Sequence, residues 1–343
     1  MSDAGGAVTD EGPSAPRRVL LLGATGSIGQ ATARALVQRG HEVVAFLRPR
    51  SGVGARLAPA DVQRLLPGVE LRCGDVLDAD SLARDGFRGE RFDALVTCLA
   101  SRTGAPRDAW AVDHRAHAQA LRAAQGAGVG HVVLLSAICV QKPQLAFQQA
   151  KLAFERELVA CGLRYSIVRP TAFFKSLSGQ IARVRQGRPF LVFGDGALTA
   201  CKPIADADLG DYLADCLDDP GRWNRVLPIG GPGPAITPRD QAEMLARLLG
   251  RPVPLRRVPV RLMDAIVALL ALGGRMVPAL ADKAELARIG RYYATESMLV
   301  WDAAAGRYDA DATPSTGHRT LAEHYARVLQ GQERVELGDH AVF

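Results

Sequence analysis

The chain has no uninterrupted apolar run of 18 residues among its 343, so no membrane-spanning helix is predicted. Lysine is scarce, because arginine supplies 37 of the 42 basic residues behind the net charge of +6. No basic run is interleaved with aromatic residues, so nucleic acid is not an expected partner. The charge instead favours anionic small molecules or a membrane surface, and a general arginine bias of the composition is the alternative.

Cysteine occurs six times, but no pair has the C-x-x-C spacing of a metal or redox site. This pattern argues against a disulfide framework and indicates a reducing, cytoplasmic compartment. His114 and His117 form an H-x-x-H pair without a third ligand nearby, so we expect them on a helix surface and expect no metal site. Residues 1–16 lack the apolar segment of a signal peptide and are predicted to form a disordered tail.

Short apolar strands alternate with helices along the first half of the chain. The predicted strands are 18–22, 42–47, 69–73, 93–98, 131–136 and 164–169, and the intervening helices include Ser27–Arg39, Arg107–Gly126 and Gln144–Cys161. Continuous apolar strands between helices are typical of a parallel sheet that is covered on both faces. The sequence therefore predicts an α/β protein with a doubly wound Rossmann parallel sheet over residues 17–170.

The second half, residues 171–335, is predicted to be a smaller α/β region that binds substrate and intermixes with the sheet. Helices are expected near 172–186, 206–217, 237–249, 282–292 and 319–330, and strands near 189–193, 224–229 and 297–301. The apolar helix Leu262–Leu272 is too short to span a bilayer and is predicted to be buried in the core. A lid over the ligand and contact with an anionic membrane surface are the alternatives.

Residues 18–29 read Arg-Val-Leu-Leu-Leu-Gly-Ala-Thr-Gly-Ser-Ile-Gly, which is an apolar strand followed by a glycine-spaced turn and a helix. Glycines at this spacing let backbone N–H groups approach a pyrophosphate, and the helix start adds its positive dipole end. The context predicts a dinucleotide-binding turn. Its residues are Gly23, Thr25, Gly26, Ser27, Ile28 and Gly29.

Three further strand ends are predicted to contact this cofactor. The second strand ends at Arg48 rather than at the acidic residue that binds a ribose 2′-hydroxyl, which favours NADP(H) over NAD, unless Arg48 is an ordinary loop arginine. Asp75 follows the third strand and is assigned to the adenine amino group, with an exposed turn aspartate as the alternative. Cys98 ends the fourth strand, where small residues let the nicotinamide ribose pack closely.

The fifth strand and the next helix resemble those of the short-chain dehydrogenases. That family places a serine at the strand end, and a tyrosine four residues before a lysine; here the residues are Ser136, Phe147 and Lys151. A phenyl ring cannot protonate an alkoxide, so carbonyl reduction and sugar epimerisation are disfavoured. Ser136 and Lys151 are still expected to bind the cofactor, with Lys151 at the nicotinamide ribose unless it is a solvated helix residue.

Several segments narrow the resemblance. They are Ser136–Pro143, Gln149–Leu152, Arg169–Ser176, Phe193–Gly196, Cys201–Ile204 and Tyr292–Met298. Together they resemble the NADPH-type divinyl chlorophyllide 8-vinyl reductases, an NmrA-like branch of the extended short-chain dehydrogenases, from about residue 17 to 330. The resemblance implies that a divinyl chlorophyllide or protochlorophyllide is reduced from vinyl to ethyl, in chlorophyll or bacteriochlorophyll synthesis. Phe147 fits that family.

A magnesium tetrapyrrole is flat, largely apolar and carries a propionate, so its pocket should have aromatic walls and a few cations. The candidates are Phe147, Phe173, Phe174, Lys175 and Lys202, with core packing or a solvated position as the alternative for the residues at 173–175. Lys151 is favoured as the catalytic proton donor. Cys139, Tyr165 and water remain open.

A protein of a different class also fits part of the pattern. NmrA-like redox sensors bind NADP(H) without turnover and likewise lack the tyrosine, whereas Lys151 and the tetrapyrrole-family segments favour the enzyme. A peripheral membrane contact is compatible with either function.

Overall fold

The computed structural model describes residues 15–52, 56–274 and 276–335; residues 1–14 of the predicted tail lie outside them. The first half contains β1 (Arg18–Leu22), α1 (Ser27–Gln38), β2 (Glu42–Leu47), α2 (Pro59–Leu65), β3 (Val69–Cys73), α3 (Ala79–Ser81), β4 (Ala94–Thr97), α4 (Pro106–Ala109), α5 (His117–Gly126), β5 (His131–Leu135), α6 (Ala146–Ala160) and β6 (Arg164–Pro170). The six predicted strands are thus present, with ends that differ by one residue at most.

The strands are apolar throughout because both faces of the sheet are covered. Val19 and Leu21 of β1 point into one core, beneath α1. Leu20 and Leu22 point into the opposite core, beneath α5 and α6. Alternate residues of a strand face opposite sides of a sheet, so a strand covered on both sides needs apolar residues at every position.

The second half adds α7 (Phe174–Leu177), α8 (Ile181–Arg185), β7 (Phe190–Phe193), α9 (Asp206–Asp215), β8 (Arg225–Ile229), α10 (Pro238–Leu249), β9 (Leu255–Val258), α11 (Val260–Gly274), α12 (Pro278–Thr295), β10 (Val300–Asp302), β11 (Arg307–Asp309) and α13 (Leu321–Leu329). A third core joins α8, β7, α10 and α13.

The main sheet has seven parallel strands in the order β3-β2-β1-β4-β5-β6-β8. The chain runs outward from β1 to β3 and then crosses to β4 on the other side of β1. This reversal opens a crevice beyond the carboxyl ends of β1 and β4, where ligands of doubly wound sheets bind.

The later half intermixes with the sheet. Strand β8 is its seventh strand, and α9 packs on α1 so closely that a Cβ on Gly210 would lie 2.6 Å from the backbone of Ala31. The sheet thus contains strands from both halves of the chain. The predicted boundary at residue 170, between a cofactor-binding and a substrate-binding region, therefore remains a prediction.

Two predicted helices are interrupted. Helix 172–186 is two short helices, α7 and α8, separated at Ser178, whose hydroxyl contacts His324 Nε2 at 2.9 Å and the carbonyl of Phe174 at 2.7 Å. Helix Arg107–Gly126 contains a π-helical segment, Trp110–Ala116, between α4 and α5. Wider turns of this kind rotate the side chains that follow and often occur at functional sites.

The prediction of a buried apolar helix is wrong. Helix α11 covers the predicted segment, but its leucines are turned to the surface, with Leu269 73% and Leu272 62% exposed. Gly274 lets α11 and α12 approach each other, since a Cβ there would lie 2.9 Å from Ala281. None of the helices in the described residues is both long and apolar enough to cross a membrane.

Candidate active site

The turn after β1 has the geometry of a phosphate cradle. Gly23 has φ +81°, and a Cβ there would lie 2.6 Å from the carbonyl of Cys98. A Cβ on Gly29 would lie 2.1 Å from the carbonyl oxygen of Gly23, whereas a Cβ on Gly26 would make an ordinary contact with the same oxygen, at 3.6 Å. Within the described chain no side chain caps the first turn of α1, so the N–H groups of Ser27, Ile28 and Gly29 are available to an anion.

A cleft opens beside this turn at the carboxyl ends of β1, β2 and β4. It is lined by Gly23, Ala24, Thr25, Phe46, Leu47, Arg48, Ser51, Val76 and Leu99. The structure thus brings together Gly23, Thr25 and Arg48 of the predicted cofactor site. Arg48 is exposed at its rim.

Ser51 is a residue of this cleft that the sequence did not reveal. It is 3% exposed, and its hydroxyl has no hydrogen-bond partner in the described part of the chain. A buried hydroxyl without a partner is costly. Beside Arg48, it is placed to donate to a phosphate. The cradle, the open helix start and this donor together fit an adenine dinucleotide that carries a 2′-phosphate.

Asp75 and Cys98 lie where the sequence predicted, at two strand ends. Asp75 is exposed and accepts a hydrogen bond from the Leu77 N–H at 2.9 Å, so it also closes its own turn. Cys98 lies beneath Gly23, and burial raises the pKa of its thiol to about 12, which keeps it neutral. The adenine role of Asp75 stays a prediction.

Lys151 is not a solvated helix residue. It is 9% exposed, and its Nζ lies 3.0 Å from Oδ1 of Asp113, whose side chain is fully buried. The same Oδ1 accepts the N–H of Ser101 at 3.2 Å, which ties the loop after β4 to the pair. The π-helical segment carries Asp113 into this position, and the sequence had given no reason to select it.

Ser136 lies at the end of β5 as predicted, but its hydroxyl is used inside the protein. It donates to Glu155 on α6, which also forms a buried ion pair with Arg169 of β6. The three groups connect β5, α6 and β6 beneath the site. Ser136 is buried, so its predicted contact with the cofactor remains untested.

The expectation that both histidines lie on a helix surface is wrong for His117. Its ring is buried against Phe154, with centroids 4.9 Å apart, and Nδ1 contacts the carbonyl oxygen of Val112 at 2.8 Å. Burial, reinforced by the charge of Lys151, lowers the pKa of His117 to about 4. The ring is therefore neutral at pH 7. His114 pairs with Glu157 instead, at 2.6 Å.

Helix α12 packs beside Phe147, at the start of α6. Phe147 lies one helical turn before Lys151 on α6 and faces Gly104, where a Cβ would meet Phe147 at 3.7 Å and Ile289 of α12 at 2.7 Å. One turn further along α12, the hydroxyl of Tyr293 lies 3.9 Å from Sγ of Cys139. An aromatic and an aliphatic side chain thus occupy the place where a dehydrogenase has its tyrosine.

Most of the other predicted substrate residues lie elsewhere. Phe173 packs against the core beneath α9, and Phe174 is buried in the third core against His324, so Phe174 does not line an open wall. Lys202 donates to the carbonyl of Thr313 at 2.8 Å. Lys175 lies near Asp206, where burial raises the pKa of the carboxyl while Ser27 and Lys175 oppose that rise.

Tyr165 is excluded as a proton donor by its place in the sheet. It is the second residue of β6 and pairs with Val132 near the start of β5, whereas Ser136 follows the end of that strand. At about 3.3 Å per residue, Tyr165 is more than 10 Å from the carboxyl edge of the sheet. No group of three or more potential metal ligands was found among the described residues.

Comparison with known proteins agrees with this geometry. The family model for NAD(P)H-binding domains matches residues 23–220. The chain is 50% identical, over 95% of its length and 82% of the relative, to the chloroplastic divinyl chlorophyllide a 8-vinyl-reductase of Oryza sativa subsp. indica. It is 43% identical to the Arabidopsis thaliana protein of the same name, over 94% of this chain and 79% of that one.

Solved structures share the fold at low sequence identity. An NADPH-dependent quinone oxidoreductase of Escherichia coli, complexed with NADPH, is 20% identical and has a TM-score of 0.63 over 91% of this chain and 99% of its own. The leucoanthocyanidin reductase–NADPH complex from Vitis vinifera is 15% identical, with a TM-score of 0.64 over the same shares.

Proposed function

We infer that this chain, which belongs to the family of divinyl chlorophyllide a 8-vinyl-reductases, reduces the 8-vinyl group of a divinyl chlorophyllide with NADPH. One observation supports this most directly. The dinucleotide site keeps Lys151, whereas the position four residues before it, a tyrosine in the short-chain dehydrogenases, is Phe147. The identity of 50% over 95% of the chain supports the same reaction. Divinyl protochlorophyllide, which has the same flat ring and vinyl group, is proposed as the second substrate.

Cofactor preference is assigned to the cleft beside the glycine turn. The N–H groups at the start of α1 hold the pyrophosphate, and Arg48 with Ser51 holds the 2′-phosphate. Asp75 is assigned to the adenine, and Cys98 packs beneath the nicotinamide ribose. When bound, NADPH supplies the hydride for the reaction.

Lys151 orients the reactive end of the cofactor by donating to its ribose hydroxyls. Asp113 holds the ammonium in place from below, because its buried Oδ1 lies 3.0 Å from Nζ. With Phe147 in place of tyrosine, no phenol on α6 can protonate an alkoxide. The site therefore favours a carbon–carbon double bond, where charge spreads into the conjugated ring instead of forming on oxygen.

The substrate is placed between Lys151 and α12. Phe147 and Ile289 offer apolar contact to the ring on this side. Lys175, which is half-buried, is the cation proposed for the propionate.

We place the protein at the surface of an anionic membrane, with α11 as the contact. The exposed apolar side chains of α11 recur every three or four residues along one stripe, Leu262, Ile266, Leu269 and Leu272. Arginines 256, 257 and 261 at its start are exposed, and its one acid, Asp264, is paired with Arg291. An apolar face beside exposed cations suits anionic lipid.

The reaction is tested with purified protein, divinyl chlorophyllide and NADPH. We expect the Soret band to move to shorter wavelength while one NADPH is oxidised per vinyl group. Lys151→Met should lower kcat/KM by about 10- to 100-fold, the range for losing a hydrogen bond from a charged group. Lys151→Arg is the matched control, because it keeps the positive charge. If the protein binds NADPH but does not oxidise it when the pigment is added, the redox-sensor function is supported instead.

A further inference from the structure

The reduction needs a proton as well as a hydride, and α6 offers no phenol for it. Lys151 Nζ is held 3.0 Å from a buried carboxylate. Cys139 is 2% exposed, so its thiol offers almost no surface to an incoming ring. Neither group is well placed to give up a proton to an incoming ring.

Tyr293 differs from both. It is 39% exposed, although its hydroxyl reaches inward to 3.9 Å from Sγ of Cys139. Burial of the phenol and the nearby Cys139 raise its pKa well above its usual value. The phenol thus remains protonated at pH 7; its hydroxyl is buried beside Cys139, whereas the side chain as a whole is partly exposed.

The position of Tyr293 is fixed by α12. Ile289, one turn earlier, contacts the same loop residue as Phe147, so the two helices meet where a dehydrogenase tyrosine would lie. Tyr292, the adjacent residue, is buried and donates to the carbonyls of Cys139 at 3.0 Å and Lys142 at 3.1 Å. The hydroxyl of Tyr292 therefore anchors α12, whereas that of Tyr293 makes only the long contact with Sγ of Cys139 among the described residues.

We propose that Tyr293, on α12, is the catalytic proton donor that replaces the phenol missing at Phe147. This proposal rests on the proposed function. A hydride from bound NADPH forms a C–H bond at one vinyl carbon, and the electron pair of the double bond moves to the neighbouring carbon and the ring. The O–H bond of Tyr293 breaks, its proton forms the second C–H bond, and the phenolate regains a proton from water.

Tyr293→Phe tests the proposal with little structural change, since it removes one hydroxyl whose recorded contact is a thiol. We expect kcat to fall by about 10²- to 10⁴-fold, the range for a general acid. Binding of divinyl chlorophyllide, measured by its absorbance without NADPH, should stay within about threefold of wild type. The matched control is Tyr292→Phe, which should lower the melting temperature and leave kcat within about threefold.

The outcomes separate this proposal from the proposed function. Wild-type protein that does not reduce the pigment contradicts the function and, with it, the proton donor. Active wild type with a Tyr293→Phe variant that keeps more than half of kcat overturns the donor alone. Loss of pigment binding in that variant, without a further loss of kcat at saturation, makes Tyr293 a wall contact and also overturns it.

Discussion

Arg48 concentrates the cofactor preference in one side chain, because its guanidinium lies at the rim of the cleft and a carboxylate there would repel a 2′-phosphate. We expect Arg48→Asp to raise the apparent KM for NADPH by about 10- to 100-fold, the range for losing a hydrogen bond to a charged group. The KM for NADH should fall or stay constant. Steady-state kinetics with both cofactors measures this.

Arg50 is the matched control for that substitution. It is exposed two residues later and does not line the cleft. Arg50→Asp removes the same charge but should leave the ratio of the two KM values nearly unchanged. An equal effect of both substitutions would show that the general positive charge, and not Arg48, sets the preference.

His117 links the site to pH. Its pKa is about 4 in the folded chain and 6.5 as the reference value, so between these pH values the unfolded chain binds a proton that the folded chain does not. Stability therefore falls as the pH falls through this window, by about 1.4 kcal/mol per pH unit from this group.

Urea unfolding at pH 7 and pH 5 tests this linkage. The wild type should lose roughly 2 kcal/mol more than His117→Gln between the two pH values, because the variant has no imidazole to protonate. Other buried histidines contribute equally to both proteins and cancel in the comparison. Parallel pH dependence of the two proteins would contradict the assignment.

Single residues were predictable from the sequence where a motif fixes their place. Arg48 follows a strand and lines the cleft beside the glycine turn, and Lys151 keeps a known spacing and is tied through Asp113 to the loop after β4; their roles remain predictions. Ser51, Asp113 and Tyr293 have no such pattern: each enters the proposed site through a burial or a contact that distant segments create. Asp113 in particular depends on a π-helical turn, which helical periodicity does not reveal.

The close packing of the glycine turn between β1 and α1 predicts the effects of two alanine substitutions on NADPH binding. Gly29→Ala should abolish NADPH binding, because the new Cβ would lie 2.1 Å from the carbonyl oxygen of Gly23 and the turn must open. Gly26→Ala introduces the same methyl group where the nearest atom is 3.6 Å away. It should therefore leave the fold of the turn intact. Fluorescence titration with NADPH compares the two, and equal loss would contradict the steric argument.

Strands were easier to predict than helices. A short, continuously apolar segment between helices is typical of a strand that is covered on both faces of a sheet. The six strands of the first half were therefore predicted to within one residue at each end. Helix 172–186 failed because the hydroxyl of Ser178 turns to His324, a residue of α13 far along the chain. Such tertiary hydrogen bonds override local helical preference.

For the molecule as a whole, the misassigned helix is the most instructive case. The composition of Leu262–Leu272 is typical of a helix buried in a core. Composition alone, however, does not show whether other elements cover the helix. The four hydrophobic cores of the described residues are built without α11, and α11 packs on α12 at the periphery. Its apolar stripe remains on the surface, where a large exposed patch usually marks a binding surface.

The membrane assignment predicts how the whole protein partitions. It should float with vesicles containing anionic lipid, less so at high salt, since the arginines at the start of α11 are screened. Replacing both Leu269 and Leu272 by Asp should reduce vesicle binding by more than about tenfold, because each buried leucine contributes about 1.5–3 kcal/mol. Val159→Asp, at an exposed valine of α6, is the control and should bind normally. If the stripe instead joins two copies of the chain, light scattering will show a dimer that the double variant dissociates, and flotation will not depend on lipid charge.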